Sequence, residues 1–352
     1  MQRTAIDGIA MWSQWQPDRN LYFNSYFVYG GTENLLVDPL PLDDAAAQEI
    51  VSHGGAQCIV ITNRDHERAA RDAASRFGAV VAASEPDASG MAIHADRILH
   101  HDDTVGEARV IGLEGLKTAG EFALHLRSKE TVIVGDALWG DPAGSLALMP
   151  DEKLADPLRA LRSLRRLRAV YPRHLLVGDG SPIFDRAYEA ITACLERRGD
   201  AHANVVNLDE LEYGPRNGPG IYHCSDAEIG FLIGADKMGY RAARLDPGNA
   251  FCPMHWHVDE EELFIVWEGS PTLETPHGSR LLRRGDLVAF PTRESGAHKL
   301  VNRSDATATV ILISNTSRHD VCFYPDSKKL LVDPIGVLVR SEPILDYYDG
   351  EV

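Results

Sequence analysis

The pattern of apolar residues changes near residue 200, and this limits the fold more than any single motif does. Before that point, short apolar runs at 22–29, 34–37, 57–61, 79–82, 131–134 and 175–177 read as strands. Between them, stretches 43–52, 67–77, 156–170 and 185–197 have helical composition. The third has Leu158, Leu161, Leu164 and Leu167 at every third position. Strands alternating with helices predict a layered α/β domain. Turn formers then crowd together in RGDAHAN and YGPRNGPG. From 221 to about 339 the segments are short and strand-like, with turns about every eight to twelve residues, which predicts a small all-β barrel or jelly roll. The expected organisation is a first domain at 1–200, a linker at 201–219 and a second domain at 220–352.

The chain of 352 residues carries 52 acidic against 35 basic side chains, a formal charge of −17. Such a chain repels nucleic acid and anionic membrane surfaces, so neither is an expected partner. No apolar run reaches the roughly 18 residues of a transmembrane helix. MQRTAIDGIAMW lacks a secretory pattern, so the cytoplasm is the expected location. Cysteines at 58, 194, 224, 252 and 322 are odd in number and form no CxxC pair, which favours free thiols in a reducing compartment. Cys252 reads as a buried structural thiol.

The clearest chemistry lies in GNAFCPMHWHVDEEELFIVWEG, residues 248–269, and GDLVAFPTRESGAHKLVN, residues 285–302. His255 and His257 are two apart, so on a strand both imidazoles face the same side. Glu262 on the next strand and His298 on a later one can converge with them inside a barrel. Three imidazoles and a carboxylate suit Fe(II), Mn(II), Ni(II), Cu(II) or Zn(II) and leave a position or two for water, O2 or substrate. Trp256 points away from the histidines and reads as core, as do Phe264, Trp267 and Phe290. Arg293 and Lys299 would either attract an acidic substrate or lie solvated.

These stretches resemble the two motifs of the cupin superfamily, GX5HXHX4EX6G and GX5PXGX2HX3N, over roughly residues 220 to 340. Gly285, Pro291, His298 and Asn302 match the second motif. Six residues separate Gly248 from His255 where the family has five, and the Pro291–Gly296–His298 spacing departs slightly. The resemblance implies a jelly-roll barrel holding one divalent transition metal on His255, His257, Glu262 and His298. Glu261 is an alternative ligand. Glu262 is preferred because six residues then lead to Gly269. Glu260 and Glu261 otherwise read as solvated or supporting acids.

The first domain resembles the metallo-β-lactamase fold, an αββα sandwich, over roughly residues 10 to 200. NSYFVYGGTENLLVDPLPL resembles the opening strand pair, and CIVITNRDHERA takes the place of the strand and THxHxDH turn. GLKTAGE, TVIVGDALWG and the segment ending LLVGDGSPI resemble later turns that carry ligands. Most ligands are missing. If Thr62 keeps the family's threonine, the ligand positions become Asn63, Asp65, Glu67 and Arg68, and His66 falls between them. The other register puts Ile61 and Asn63 at the preceding histidine positions, and it is less favoured because Thr62 directly ends the strand. Lys117 and Asp179 replace later histidines, and only the bridging carboxylate, Asp136, remains. Lysine and arginine oppose a divalent cation. Lys117 or Arg68 is therefore expected where the metal would sit, neutralising Asp136 and Asp179 as buried carboxylates require.

His100 to Asp103 reads as an exposed loop, and the arginines of 159–173 as the outer face of an amphipathic helix. The expected function is a cupin-type metal-dependent enzyme, an oxygenase of a small organic substrate. The alternatives are a small-ligand-binding or sensing cupin on a scaffold domain, and a hydrolase at the first domain. A small-molecule ligand and a homodimer are the expected partners.

Overall fold

A computed structural model describes residues 1–235, 237–317, 319–333 and 336–351. They divide into two units, Met1–Asn204 and Val205–Val352. In the first, seven strands pair in chain order: Gln2–Arg3, Ile9–Gln16, Leu21–Val28, Leu35–Val37, Cys58–Val60, Val80–Ser84 and Arg97–Leu99. The first three pairings are antiparallel and the last three parallel. Parallel neighbours need crossovers, and helices Asp44–Ser52, Ala70–Phe77 and Glu85–Ala88 supply them. A second sheet runs in the order His174–Val177, Thr131–Val134, Phe122–Leu126, Ala108–Gly112, Thr104–Val105, and only its first pairing is parallel.

Period-two alternation sets the layers. Leu35, Val37, Cys58 and Val60 pack inward against Leu124, Leu126, Ile133 and Leu176 of the other sheet. The intervening Leu36 and Ile59 pack outward with Ile50, Ala70 and Ala73. On the far side Val132, Val134, Leu175 and Val177 meet Leu161, Leu164, Leu167, Ile191 and Leu195. The result is the expected αββα sandwich. The Asp43 side chain caps the first helix by accepting from the Ala46 N–H at 2.7 Å.

The stretch 156–170 is not one helix but two, Pro157–Leu164 and Arg166–Ala169. Leucines at every third position suit a three-residue turn better than a 3.6-residue one. The chain tightens between the two helices, where Arg165 N–H donates to the Arg162 carbonyl at 3.2 Å. The arginines here are engaged: Arg159 and Arg166 pair with Glu114, and Arg165 donates to the Ala203 carbonyl. Strands Ile9–Gln16, Ala108–Gly112 and Phe122–Leu126 have no counterpart among the expected elements.

In the second unit, Gly214–Asn217 is a strand within the stretch expected to be a linker. It edges a six-stranded sheet and is followed by His223–Glu228, Met238–Leu245, Ala308–Asn315, Glu262–Glu268 and Leu287–Phe290. A second sheet holds Trp256–His257, Val321–Tyr324, Lys329–Val332 and Val337–Arg340. A third holds Gly278–Leu281, Thr272–Thr275 and Lys299–Val301. Leu245, Phe264, Val266, Leu273, Phe290, Leu300, Val310 and Leu312 fill the interior of this jelly roll. Among the described residues the unit has no α-helix, and in the whole chain no described helix is long and apolar enough to cross a membrane.

Candidate functional site

In the second unit, backbone pairing brings the histidines together. His255 and His298 exchange both backbone hydrogen bonds, at 3.0 and 2.9 Å, so their rings lie side by side with centroids 4.5 Å apart. His257 follows two residues after His255, on the same face, with ring centroids 5.1 Å apart. Glu262 opens the next strand opposite Phe290, and the Phe290 ring stacks on His298 at 3.6 Å. The Nε2 atoms of His255, His257 and His298 lie 3.7, 3.6 and 3.3 Å from Glu262 Oε2. Gly296 closes the loop before His298, where a Cβ would collide with the Pro291 carbonyl oxygen.

Each imidazole is oriented through its other nitrogen. His255 Nδ1 meets the Pro253 carbonyl at 3.0 Å and His298 Nδ1 the Gly296 carbonyl at 2.9 Å. A carbonyl only accepts, so both Nδ1 atoms carry the proton and both Nε2 lone pairs face Glu262. Burial holds these two histidines neutral, down to about 4 for His255 and about 3 for His298. His257 Nδ1 meets Asp320 Oδ2 at 2.6 Å, and Asp320 Oδ1 accepts from the N–H groups of Asp259 at 2.8 Å and Glu260 at 3.4 Å. Burial disfavours the charge on His257, but hydrogen bonds to Asp320 and Cys322 outweigh it and raise the group to about 11. Burial lifts Glu262 to about 7, against the lowering effect of His257.

The donor set fits a divalent transition ion. Glu262 Oε2 and His298 Nε2 are buried and have no hydrogen-bond partner. They confront one another as acceptors, an arrangement that a cation between them relieves. Glu261 is exposed, whereas Glu260 turns aside to accept from the Ser317 N–H at 2.8 Å. Trp256 stacks on Phe323 away from the histidines. Phe264 and Phe290 are core, but Trp267 is about half exposed, at 53%. Lys299 pairs with Glu274 at 3.1 Å, while Arg293 is exposed. Cys252, half-buried, brings its sulfur within 3.5 Å of His255 Nδ1. Asp320 carries no motif and lies beyond the stretches that pointed to the site.

The first unit holds a different cluster. Asp38, Thr62, Asp136 and Asp179 follow the C-terminal ends of strands, where ligand crevices of α/β sheets lie. Asp38 accepts from the Thr62 N–H and hydroxyl at 2.8 and 2.6 Å. His66 lies between two carboxylates, Nδ1 at 2.8 Å from Asp38 Oδ2 and Nε2 at 3.2 Å from Asp136 Oδ1. Burial opposes its charge, but Asp38 and the two hydrogen bonds raise it to about 10, so it is an imidazolium. Arg68, 8% exposed at its side chain, reaches Asp179 Oδ1 at 3.3 Å. Lys117 pairs instead with Asp65 on the exposed rim. Burial raises Asp179 to about 6.

His66, which carries no ligand in the favoured register, lies inside this polar cluster. Arg64–His66 forms a 3-10 turn, and its three-residue period puts Asn63 and His66 on one side. Both crowd Gly135, where a Cβ would meet Thr62 Oγ1, Asn63 Nδ2 and His66 Nδ1. Asn63 itself caps the turn, accepting from Asp65 N–H at 3.0 Å. Glu67 turns away to accept from Ala92 N–H at 2.7 Å. Two acids here escape the sequence reading. Asp38 left a signal, since LLVDP, VIVGD and LLVGD all end a strand in Asp. Glu121 left none. It is buried with both carboxylate oxygens unpartnered, and burial, then Asp136, push it well above the carboxylate range. His100 to Asp103 is largely exposed, as expected.

The donor atoms of His66, Asp136 and Asp179 lie within 4.8 Å of one another, but the set does not fit a metal centre. Both His66 nitrogens face carboxylates, and Arg68 Nη2 stands 3.2 Å from Nε2.

Comparison with known proteins follows this division. A family model described as the metallo-beta-lactamase superfamily matches residues 1–195, and one described as the cupin domain matches 242–314. A sugar phosphate isomerase of the cupin superfamily from Silicibacter pomeroyi is 26% identical over 41% of this chain and 98% of its own, with a TM-score of 0.37. A metallo-beta-lactamase from Erythrobacter litoralis is 17% identical over 55% of this chain and 89% of its own, with a TM-score of 0.43. One from Pontibacter korlensis is 15% identical over 56% and 96%, with a TM-score of 0.45. No curated protein matches. The chain belongs to the metallo-beta-lactamase superfamily through residues 1–195, and it carries a cupin domain at 242–314.

Proposed function

We propose that the cupin domain is a metal-dependent enzyme, an oxygenase of a small organic substrate, with one divalent transition ion held by His255, His257, Glu262 and His298. The observation that carries this reading is the set of Nε2 atoms converging on Glu262 Oε2, at 3.7, 3.6 and 3.3 Å, with each Nδ1 already engaged. An ion with open positions would supply O2 activation or polarisation of the substrate.

The protein's own contribution is orientation and exclusion of water. Pro253 and Gly296 hold two imidazoles through their carbonyls, and Asp320 holds the third. Phe264 and Phe290 flank His298 and keep that wall apolar. The nearby thiol of Cys252 and phenol of Tyr324 are pushed upward by burial, so neither is poised to take a substrate proton near neutral pH.

The test is metal analysis of the purified protein, followed by oxygen uptake by the Fe(II)-loaded chain against a panel of small acids and phenols. About one ion per chain, lost in His255→Ala and His298→Ala, together with substrate-dependent uptake supports the proposal. Metal binding without uptake, but with ligand-dependent thermal shifts, replaces it with a sensing role.

A further inference from the structure

We infer that Arg68 is a built-in counter-ion standing where the metallo-beta-lactamase fold would hold metal, so that the first unit is closed by a metal-free polar strut between its two sheets. The guanidinium is fixed from several directions. Its Nη1 donates to the backbone carbonyls of Asn24 and Asp38, at 2.7 and 3.3 Å. Its Nη2 reaches Asp179 Oδ1 at 3.3 Å, and its carbon lies 4.9 Å from the Phe23 ring centroid. Asn24 and Asp38 belong to one sheet and its following turn, Asp179 to the end of a strand of the other. One side chain thus does what a bridging ion would do, joining ligands that the two sheets present separately.

The surrounding groups complete the lock. His66 spans Asp38 and Asp136, again one from each side. Asn24 N–H and Nδ2 donate to the Gly178 and Val177 carbonyls at 2.8 and 2.9 Å, and Nδ2 also reaches the Gly180 carbonyl at 2.7 Å. Gly178 leaves no room for change, because a Cβ there would meet His66 Cε1. A divalent ion on His66 Nε2 would have to expel a guanidinium that holds two carbonyls and a carboxylate, and it would face a fixed positive charge at contact distance. Asp136 and Asp179 already have cationic neighbours, with Arg19 adding a looser contact to Asp179 at 3.9 Å, so little uncompensated negative charge remains to recruit an ion.

The test uses the full chain and reads metal content and melting temperature. Asp136→Asn should leave metal per chain unchanged, since any ion resides in the cupin domain, whereas loss of one or more equivalents overturns the inference. Arg68→Met should lower the melting temperature of the first unit by at least about 6 °C, the loss expected when a buried charge pair is broken. It should also bind zinc that the unaltered chain does not, with partial thermal recovery. Should Arg68→Met fail to fold, Arg68→Lys serves. It should melt lower than the unaltered chain and still exclude zinc, because the charge is kept. An Arg68→Met that melts as the unaltered chain does, or an Arg68→Lys that binds extra zinc, refutes the counter-ion role. None of these variants touches the cupin ligands, so the outcome is independent of the proposed oxygenase.

Discussion

Replacing Asp320 with Asn should weaken metal binding at the cupin site without dismantling the barrel. Asp320 receives three N–H groups: His257 Nδ1 at 2.6 Å, Asp259 at 2.8 Å and Glu260 at 3.4 Å. Asn keeps an oxygen for the two backbone donors but turns an NH2 toward His257. That contact is acceptable only if His257 gives up its Nδ1 proton and carries it on Nε2, the atom facing Glu262. The variant must therefore sacrifice either a hydrogen bond or the lone pair that would bind the ion. Loss of such an outer partner costs about 10- to 100-fold in affinity, or about 1.4 to 2.7 kcal/mol. Competition against a chromophoric chelator across pH 6 to 9, corrected for the protons released from His257 and Glu262, measures this, with thermal melting as the check on folding. A dissociation constant within twofold of the unaltered protein, in a variant that melts normally, would show that Asp320 does not orient His257.

Three further outcomes follow from burial and charge. Metal affinity should rise with pH, because ligation requires His257, raised to about 11, and Glu262, raised to about 7, to lose their protons. Between pH 7 and 9 the His257 proton gives about a tenfold gain per unit, steeper below pH 7 as Glu262 joins. Calorimetry in buffers of different ionisation heat counts the protons released, and a flat affinity from pH 7 to 9 refutes the assignment. Glu121→Gln should stabilise the first unit at neutral pH. Glu121 is raised well above its ordinary value of 4.5 by burial. Below 4.5 the carboxyl is protonated in both states; as pH rises only the unfolded chain gains by ionising, so native stability is lost. The melting advantage of Glu121→Gln should thus grow from pH 4.5 to 8, and a variant that is less stable at pH 8 contradicts the neutral carboxyl. Leu124→Ala, at a fully buried position between the sheets, should cost about 2–5 kcal/mol in urea unfolding. A loss under about 1 kcal/mol would argue against that placement.

Both architectures and the four converging donors of the cupin site were legible in the sequence. Periodicity and turn spacing are local properties, and a motif states which residues share a strand face. The strands Ile9–Gln16 and Phe122–Leu126 were not legible for opposite reasons. The first ends in polar SQWQ, and its last residues are largely exposed. The second is buried on both faces, so it shows no alternation. The two-part helix at 157–169 was hidden because leucines at every third position, though better suited to a three-residue turn, drift only slowly across one α-helical face.

By itself, the sequence determined that an αββα domain precedes a jelly roll, that the first domain lacks most metal-ligand side chains, and that His255, His257, Glu262 and His298 can meet. Only the tertiary structure decided what holds those groups. Asp320 reaches His257 across 63 positions, and Arg68 reaches Asp179 across 111. The 3-10 turn at Arg64–His66 aims His66 between Asp38 and Asp136, a placement that no ligand register specifies. Motif spacing records which side chains one strand presents, whereas the partner that orients or neutralises them is chosen by packing between strands far apart in the chain, which no local pattern encodes.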